Sequence, residues 1–228
     1  MKTLLAVAVT TVLAASSALV HADDAQKAKE TGAKPAASPG WIVIEESVWT
    51  PLRFEPLVSM DSIRYHYRRH EEEAAANQID KAVSWLKLAE SHALPITKEK
   101  LTAAVSELES VSKDLRAGNT IAAAKLDGGL AKAASALGEW HYYKAKESWG
   151  RNEAKDAAKD LEMAANYLQH AANSAHYQFG PDTVEVITKL FDHGKLKGEK
   201  VEFTHNDLGM HLQSIEKAIN DLATALKK

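Results

Sequence analysis

The 228-residue chain contains no cysteine, and this absence excludes several kinds of site at once. Disulfide bonds, thiolate metal ligands, a thiol nucleophile, covalent attachment of c-type haem and lipidation of an N-terminal cysteine all need a thiol group. The chain is long enough to bury a sizeable core without cross-links. The sequence therefore predicts a fold that is held together by packing.

A strong charge of one sign is also missing, since 28 basic and 31 acidic residues leave a formal net charge of −3. Nucleic-acid-binding proteins usually carry a basic field, which this composition does not provide. The chain also lacks the Gly-x-Ser-x-Gly nucleophile elbow, a phosphate-binding glycine loop and the His-Glu-x-x-His metalloprotease motif. We therefore expect no nucleic-acid partner and no enzymatic activity.

The first 22 residues have the pattern of a secretory signal peptide. Met1 and Lys2 provide a positive start, residues 4–20 are mainly apolar, and small residues near Ala22 suit cleavage after that position. An uncleaved anchor helix is the alternative, but the strongly apolar stretch is about half of the ~20 residues that a bilayer span needs. We expect a periplasmic or secreted protein with no membrane span after cleavage.

The rest of the chain divides into three parts. Residues 23–40 are rich in Ala, Lys, Pro and Gly without apolar periodicity, which predicts a flexible linker. Residues 41–58 are β-branched and aromatic and are interrupted by two prolines, so we expect an extended arm packed on helices. Residues 59–228 have the apolar spacing of amphipathic helices. The predicted fold class is therefore all-α, with antiparallel helical hairpins forming a bundle or a short array.

Apolar spacing and breaker residues predict the individual helices. The predicted ranges are 59–76, 79–92, 97–115, 121–137, 139–149, 153–176, 181–190 and 206–226. Glycines 128 and 129 either kink the fourth of these helices or let a neighbouring helix approach closely.

Three short windows suggest an internal repeat. When Asn77, Asn119 and Asn152 are aligned as turn residues, alanine recurs five and twelve positions later in each window. Small residues at such places let the second helix of a hairpin sit close to the first. The pattern resembles the second helix of tetratricopeptide repeats, and in style the small periplasmic helical proteins of the YfdX type. Chance matches in any alanine-rich bundle are the alternative explanation.

Histidine is the residue type with a possible metal chemistry. His66 and His70 lie four positions apart, which on a helix places them on one face, and Glu73 follows three positions later. His141 matches His66 in the repeat alignment and has similar aromatic neighbours. These three histidines could bind a metal or haem, although Arg64 and other nearby arginines oppose a cation. Packed or capped helix histidines are the alternative interpretation.

The leading functional hypothesis is an exported helical module that binds a protein, a peptide or a small ligand. Aromatic residues with helical neighbours would form its binding surface if they were exposed together. These candidates are Tyr65, Tyr67, Trp140, Tyr142, Tyr143 and Trp149. The run from Arg64 to His70 could alternatively form a patch for an anionic ligand, or simply a solvated face. A self-associating envelope component is a third hypothesis.

Overall fold

The structure, a computed structural model, describes residues 54–195 and 203–227. Within these residues the chain forms seven α-helices and no strand, which confirms the predicted all-α fold. The helices are α1 Glu55–Arg68, α2 Glu72–Ser91, α3 Pro95–Arg116, α4 Ala123–Gly150, α5 Ala154–Ser174, α6 Pro181–Lys195 and α7 His205–Ala225. The predicted leader, the predicted linker and residues 41–53 of the predicted arm lie outside the described residues.

The first helix begins earlier than the sequence pattern suggested. α1 starts at Glu55 with Pro56 in its first turn, so residues 55–58 are helical and the prediction of an extended arm up to residue 58 was wrong there. Proline has no amide hydrogen and a fixed φ, which makes it unsuited to a strand but well suited to the first turn of a helix. Phe54 packs against the core, as expected for this aromatic residue.

The first break in the helices falls at His70 and not at Asn77. His70 adopts a φ of 57°, and the Glu71 amide donates a 3.0 Å hydrogen bond to the carbonyl of His66. This left-handed residue followed by a bond to the carbonyl five positions earlier closes the helix end. The predicted helices 59–76 and 79–92 are therefore wrong at their shared boundary. Asn77 lies inside α2, so the predicted repeat register does not describe three turns.

The same closure recurs at three later turns. The residues in the left-handed region are His70, Gly118, Asn152 and His176. At each turn the amide of the next residue donates to the carbonyl five positions earlier, at 2.8 to 3.0 Å. Because this closure satisfies carbonyls that the helix end leaves without partners, it fixes where the chain reverses.

α4 is one continuous helix of 28 residues, although two helices were predicted in this range. It passes through Gly128 and Gly129 without interruption. A Cβ atom built on Gly129 would lie 3.5 Å from Leu108 of α3, which supports the predicted close helix approach rather than the kink. A Cβ atom on Gly138 would lie 3.3 Å from the Ala164 carbonyl of α5. The glycines therefore let α3 and α5 pack closely against α4.

The seven helices form two similar sets of four. α1, α2, α3 and α4 pack in sequence, and so do α4, α5, α6 and α7, although α7 packs in addition against α4 and α5. Buried positions correspond when the second set is read 82 residues after the first. In the first two helices of each set the corresponding buried pairs are Met60/Tyr142, Ile63/Ala145, Ala75/Ala157, Ile79/Leu161, Ala82/Ala164, Leu86/Leu168 and Ala89/Ala171.

The fourth helix of each set follows the same offset. Its corresponding buried pairs are Leu126/Leu208, Leu130/Leu212, Ala133/Ile215, Ala136/Ala218 and Leu137/Ile219. Burial matches in the first two helices and in the fourth helix of each set, which indicates an internal duplication. α4 is the fourth helix of the first half and the first helix of the second half. This relation has a different register from the alignment on Asn77, Asn119 and Asn152.

The last helix begins with a capping box, and its N-cap is Thr204, whereas the sequence left Thr204 and Asn206 as alternative caps. The Asp207 amide donates to the Thr204 hydroxyl at 3.1 Å, and the Thr204 amide donates to the Asp207 carboxylate at 3.0 Å. These two bonds satisfy donors that a helix start leaves free, so the chain enters α7 at a defined residue. None of the helices in the described ranges is both long and apolar enough to cross a bilayer.

Candidate functional site

A cleft opens at one end of the first four-helix set. It lies between the turn from α1 to α2 and the turn from α3 to α4, and its volume is about 730 Å³. Ligand-binding clefts commonly have volumes of this order. The residues that line it are Tyr67, Arg68, His70, Glu72, Glu73, Leu115, Arg116 and 118–121.

The hydroxyl of Tyr67 ties the two turns together. It donates a hydrogen bond to the backbone carbonyl of Ile121, at the point where the chain enters α4. In the second set the indole Nε1 of Trp149 donates to the carbonyl of His205 at 2.9 Å. Trp149 is the counterpart of Tyr67 in the 82-residue offset. The bond from an aromatic donor to the start of the fourth helix is therefore a feature of both sets, and it fixes the Tyr67 ring in the wall of the cleft.

Arg116 is held in place by Asp80 on α2 and by Ser112 on its own helix. Its Nη2 lies 2.6 Å from the Asp80 carboxylate, and its Nη1 donates to the Ser112 hydroxyl at 2.6 Å. The hydrogen bond from this guanidinium lowers the pKa of Asp80, while desolvation opposes the shift. The Arg116 side chain therefore forms part of the cleft wall, and Asp80 compensates much of its positive charge.

A second group of charged residues forms ion pairs at the α1–α2 turn, beside the cleft. Glu71 lies 2.8 Å from Nε of Arg69 and 2.6 Å from Nδ1 of His66. The hydrogen bonds from Arg69 and then His66 lower the pKa of Glu71. His66 is therefore engaged with a carboxylate next to the cleft and does not line the cleft itself.

Four other charged or titratable groups on the cleft wall are left unpaired. Arg68, His70, Glu72 and Glu73 make no side-chain hydrogen bond and no ion pair within residues 54–195 and 203–227. Arg68, His70 and Glu73 are exposed, and Glu72 is half-buried. The cleft therefore presents cationic and anionic groups together, beside the apolar side chains of Leu115 and Ile121.

The metal-site prediction depended on His66, His70 and His141 coming together. α1 ends at Arg68, so His70 lies in the turn and does not share a helical face with His66. His141 lies buried in the middle of α4, bonded to Asp160. Over the two described ranges, no group of three or more His, Asp or Glu side chains could hold a metal ion, so the three histidines form no such group.

His141 belongs to a buried polar pair between α4 and α5. Its Nδ1 lies 2.8 Å from Asp160 Oδ1, and the two side chains are only 5% and 8% exposed. Its ring stacks on Tyr167 with the centroids 5.5 Å apart, and Lys144 Nζ lies 3.7 Å from the same Asp160 oxygen. This pair resembles the acid–base pairs of active sites in its chemistry, but it lies within the helix packing.

The six aromatic residues predicted to form a binding surface do not share one exposed patch. Tyr65 is 57% exposed, whereas Tyr142 is 2% exposed and belongs to the core. The other four are half-buried and pack against the core: Tyr67, Trp140, Tyr143 and Trp149. Burial raises the pKa of the Tyr142 hydroxyl, and the neighbouring carboxylate of Glu216 adds to the shift. Of the six, only Tyr67 lines the cleft.

Sequence reasoning missed most of the cleft. Arg116 and the loop 118–121 come from a different hairpin than Tyr67, and their proximity depends on how α3 lies beside α2. The signal that was available is the charge order Arg68-Arg69-His70-Glu71-Glu72 in one short segment. Such an abrupt sign change is common on solvated helices, so it indicates no cleft without the tertiary fold.

The protein was compared with family models, curated proteins and solved structures, and none of them matches the chain.

Proposed function

We propose that this protein is an exported helical binding module without catalytic activity, and that it takes a small ligand or a short peptide in the cleft between the α1–α2 and α3–α4 turns. The pattern of residues 1–22 supports export. The observation that carries the binding proposal is the cleft itself, which combines unpaired charges of both signs with apolar residues. Clefts that mix an apolar wall with a few polar groups are typical of ligand sites.

The location of the His141–Asp160 pair supports binding rather than catalysis. The buried pair of His141 and Asp160 is covered by helix packing, and neither residue lines the cleft. In the cleft wall the Tyr67 hydroxyl is already committed to the Ile121 carbonyl. A general base must lie within reach of the proton that it removes from a substrate. His70, Glu72 and Glu73 also line the cleft, but within the described residues none of them is hydrogen-bonded to a hydroxyl that could act as a nucleophile, so the cleft has groups that can hold a ligand.

A cleft-filling variant tests the proposal. Thr120 is exposed on the cleft wall, so Thr120→Trp should occupy the cleft without disturbing the core. Thr224→Trp, at an exposed position on the last turns of α7, is the matched control. The purified protein is screened against a set of capped tripeptides by saturation-transfer NMR.

We expect some of these tripeptides to bind the wild type and the Thr224→Trp control, and none to bind Thr120→Trp. Circular dichroism melting confirms that the variants are folded. If no tripeptide binds the wild type, or if the hits bind Thr120→Trp equally well, the cleft is not a binding site for short peptides, and the proposal that it binds them is overturned.

A further inference from the structure

We infer that the cleft recognises a peptide segment that carries a cationic and an anionic side chain together, with an apolar residue between them. This inference rests on the proposed binding function and specifies its ligand. The charges that the fold pairs are explained by the fold itself, so a ligand would be recognised by the charges that the fold leaves unpaired.

The turn from α1 to α2 holds both kinds of charge within six residues. Arg69 and Glu71 pair with each other across the turn, at 2.8 Å. Arg68 and Glu72, which flank them, have no ion pair in the described parts of the chain and line the cleft. The Arg69–Glu71 pair therefore lies beside the cleft, whereas the unpaired Arg68 and Glu72 line it.

The internal duplication shows which of these charges the turn needs. The corresponding turn between α4 and α5 keeps the pair, because Arg151 lies 3.0 Å from Glu153. It closes in the same left-handed way, at Asn152. The conserved geometry in the two halves of one chain indicates that the Arg-x-Glu pair belongs to the turn itself.

Three of the four unpaired groups have no charged counterpart in the second turn. At an offset of 82 residues, Gly150 stands where the first half has Arg68, Asn152 where it has His70, and Ala154 where it has Glu72. The second turn therefore closes without those charges. Since the second turn closes without such charges, Arg68, His70 and Glu72 are available on the cleft wall for a ligand of complementary charge.

The signs of the charges restrict the ligand. A purely anionic ligand would be attracted by Arg68 but repelled by Glu72, and a purely cationic ligand would be attracted by Glu72 but repelled by Arg68. Like charges that are brought together in a partly dry cleft cost free energy, whereas complementary ones gain it and select between partners. A ligand that carries a positive and a negative group can pair with Glu72 and with Arg68 at the same time.

The apolar part of the cleft restricts the ligand further. Leu115 and Ile121 are buried at its floor, and the Tyr67 ring is fixed by its hydroxyl bond. A volume of about 730 Å³ accepts more than a single ion or amino acid. These features fit a short peptide whose central apolar side chain contacts the floor while its charged neighbours reach Arg68 and Glu72.

Four capped tripeptides test the inference by calorimetry at low ionic strength. They are acetyl-Lys-Leu-Glu-amide, acetyl-Lys-Leu-Lys-amide, acetyl-Glu-Leu-Glu-amide and acetyl-Ser-Leu-Ser-amide. We expect the mixed-charge peptide to bind roughly fivefold more tightly than each of the others, because one good charge contact is worth about 1 kcal/mol. The advantage should shrink as salt screens the charges.

Variants that remove a single charge test which residues cause the preference for the mixed-charge peptide. Arg68→Gln and Glu72→Gln should each remove most of the preference for the mixed-charge peptide. Lys98→Gln and Glu99→Gln are the matched controls, since both residues are exposed on the first turn of α3, at its opposite end from the cleft. The controls should bind like the wild type.

The outcomes separate the inference from the function on which it rests. If the neutral or the like-charged peptides bind the wild type as tightly as the mixed-charge peptide, the cleft binds peptides without regard to charge and only the inference fails. If none of the four binds, the proposed binding function fails with it. If the control variants lose the preference as much as Arg68→Gln and Glu72→Gln do, the charges act from outside the cleft and the inference is wrong.

Discussion

The imidazole Nδ1 of His141 lies 2.8 Å from Oδ1 of Asp160, and this contact joins α4 to α5 in the interior of the protein. Burial of a charged or polar group is costly unless a partner compensates it. The contact therefore gives the two helices a defined register, since a shift along either axis would separate the pair.

Removal of one member of this pair should be strongly destabilising. Asp160→Ala leaves the His141 imidazole buried without its carboxylate, and we expect the free energy of unfolding to fall by about 3 kcal/mol. Asp156→Ala is the control, because Asp156 is 61% exposed on the same helix, and it should cost at most about 1 kcal/mol. Urea unfolding followed by circular dichroism measures both. Equal losses would show that the pair does not stabilise the fold.

Two of the glycines of α4, Gly138 and Gly128, should respond oppositely to alanine. A Cβ atom on Gly138 would lie 3.2 Å from Leu168 and 3.3 Å from the Ala164 carbonyl, and a backbone carbonyl in a packed helix cannot move away cheaply. Overpacking of this kind costs about 1–3 kcal/mol, more than the roughly 0.8–1 kcal/mol that alanine gains in helix propensity. Gly138→Ala should therefore lower the melting temperature.

Gly128→Ala is the matched variant, because a Cβ atom there would meet nothing within 4 Å. Only the helix propensity changes at this position, so the melting temperature should rise. A stabilising effect of Gly138→Ala in the same experiment would mean that α4 and α5 are less closely packed than the structure has them.

Two buried histidines should make the protein less stable in mild acid. Burial lowers the pKa of His170, where Asp61 opposes the shift and Arg64 adds to it. Burial also lowers the pKa of His211, where Asp207 opposes the shift and Lys189 adds to it. The unfolded chain therefore binds more protons than the folded chain once the pH falls below the unfolded pKa of about 6.5.

The stability contributed by these histidines is thus fully present above about pH 6.5 and is lost as the pH falls toward their folded pKa values. Carboxylates such as Asp80 act at lower pH, because their pKa values lie below the usual range. Urea midpoints measured between about pH 7.5 and 5.5 should fall in the wild type and fall less in the double variant His170→Gln/His211→Gln. Parallel curves for the two proteins would assign the acid sensitivity to other groups.

The proposal of export predicts a mature chain that starts at Asp23. Cleavage after Ala22 removes Met1 and Lys2 together with the apolar stretch, because signal peptidases act after small residues that follow such a stretch. Intact-mass analysis of the protein released from cells by osmotic shock measures the processed length. A full-length chain that stays in the cytosol would overturn the proposal, and a full-length chain in the membrane would support the anchor alternative.

Helix content was predictable because it depends on local spacing. Leu101, Leu108 and Leu115 recur at helical intervals, and all three are buried in α3. The start of α7 was predictable for the same reason, since Thr204 and Asp207 form their capping box within one turn. These features are decided by residues that are neighbours in sequence, and the distant parts of the fold do not change them.

The turn at His70 was not predictable in this way. Histidine is a less common residue in the left-handed region than glycine or asparagine, so Asn77 was the more obvious turn residue although it lies inside α2. The continuity of α4 through Gly138 was missed because glycine usually weakens a helix. Its reason is the close approach of α5, which only the packed structure shows.

The sequence by itself determined that the chain is helical, that alanine-lined faces are buried, and that Arg68, His70 and Glu72 stand close together along the chain. Tertiary structure alone decided that these charges border a cleft, because the opposite wall at Arg116 and Ile121 comes from another hairpin. It also decided that His141 meets Asp160 instead of His66. The physical reason is that local spacing sets each helix and its apolar face, whereas the contacts between helices depend on close packing of residues that are far apart in sequence.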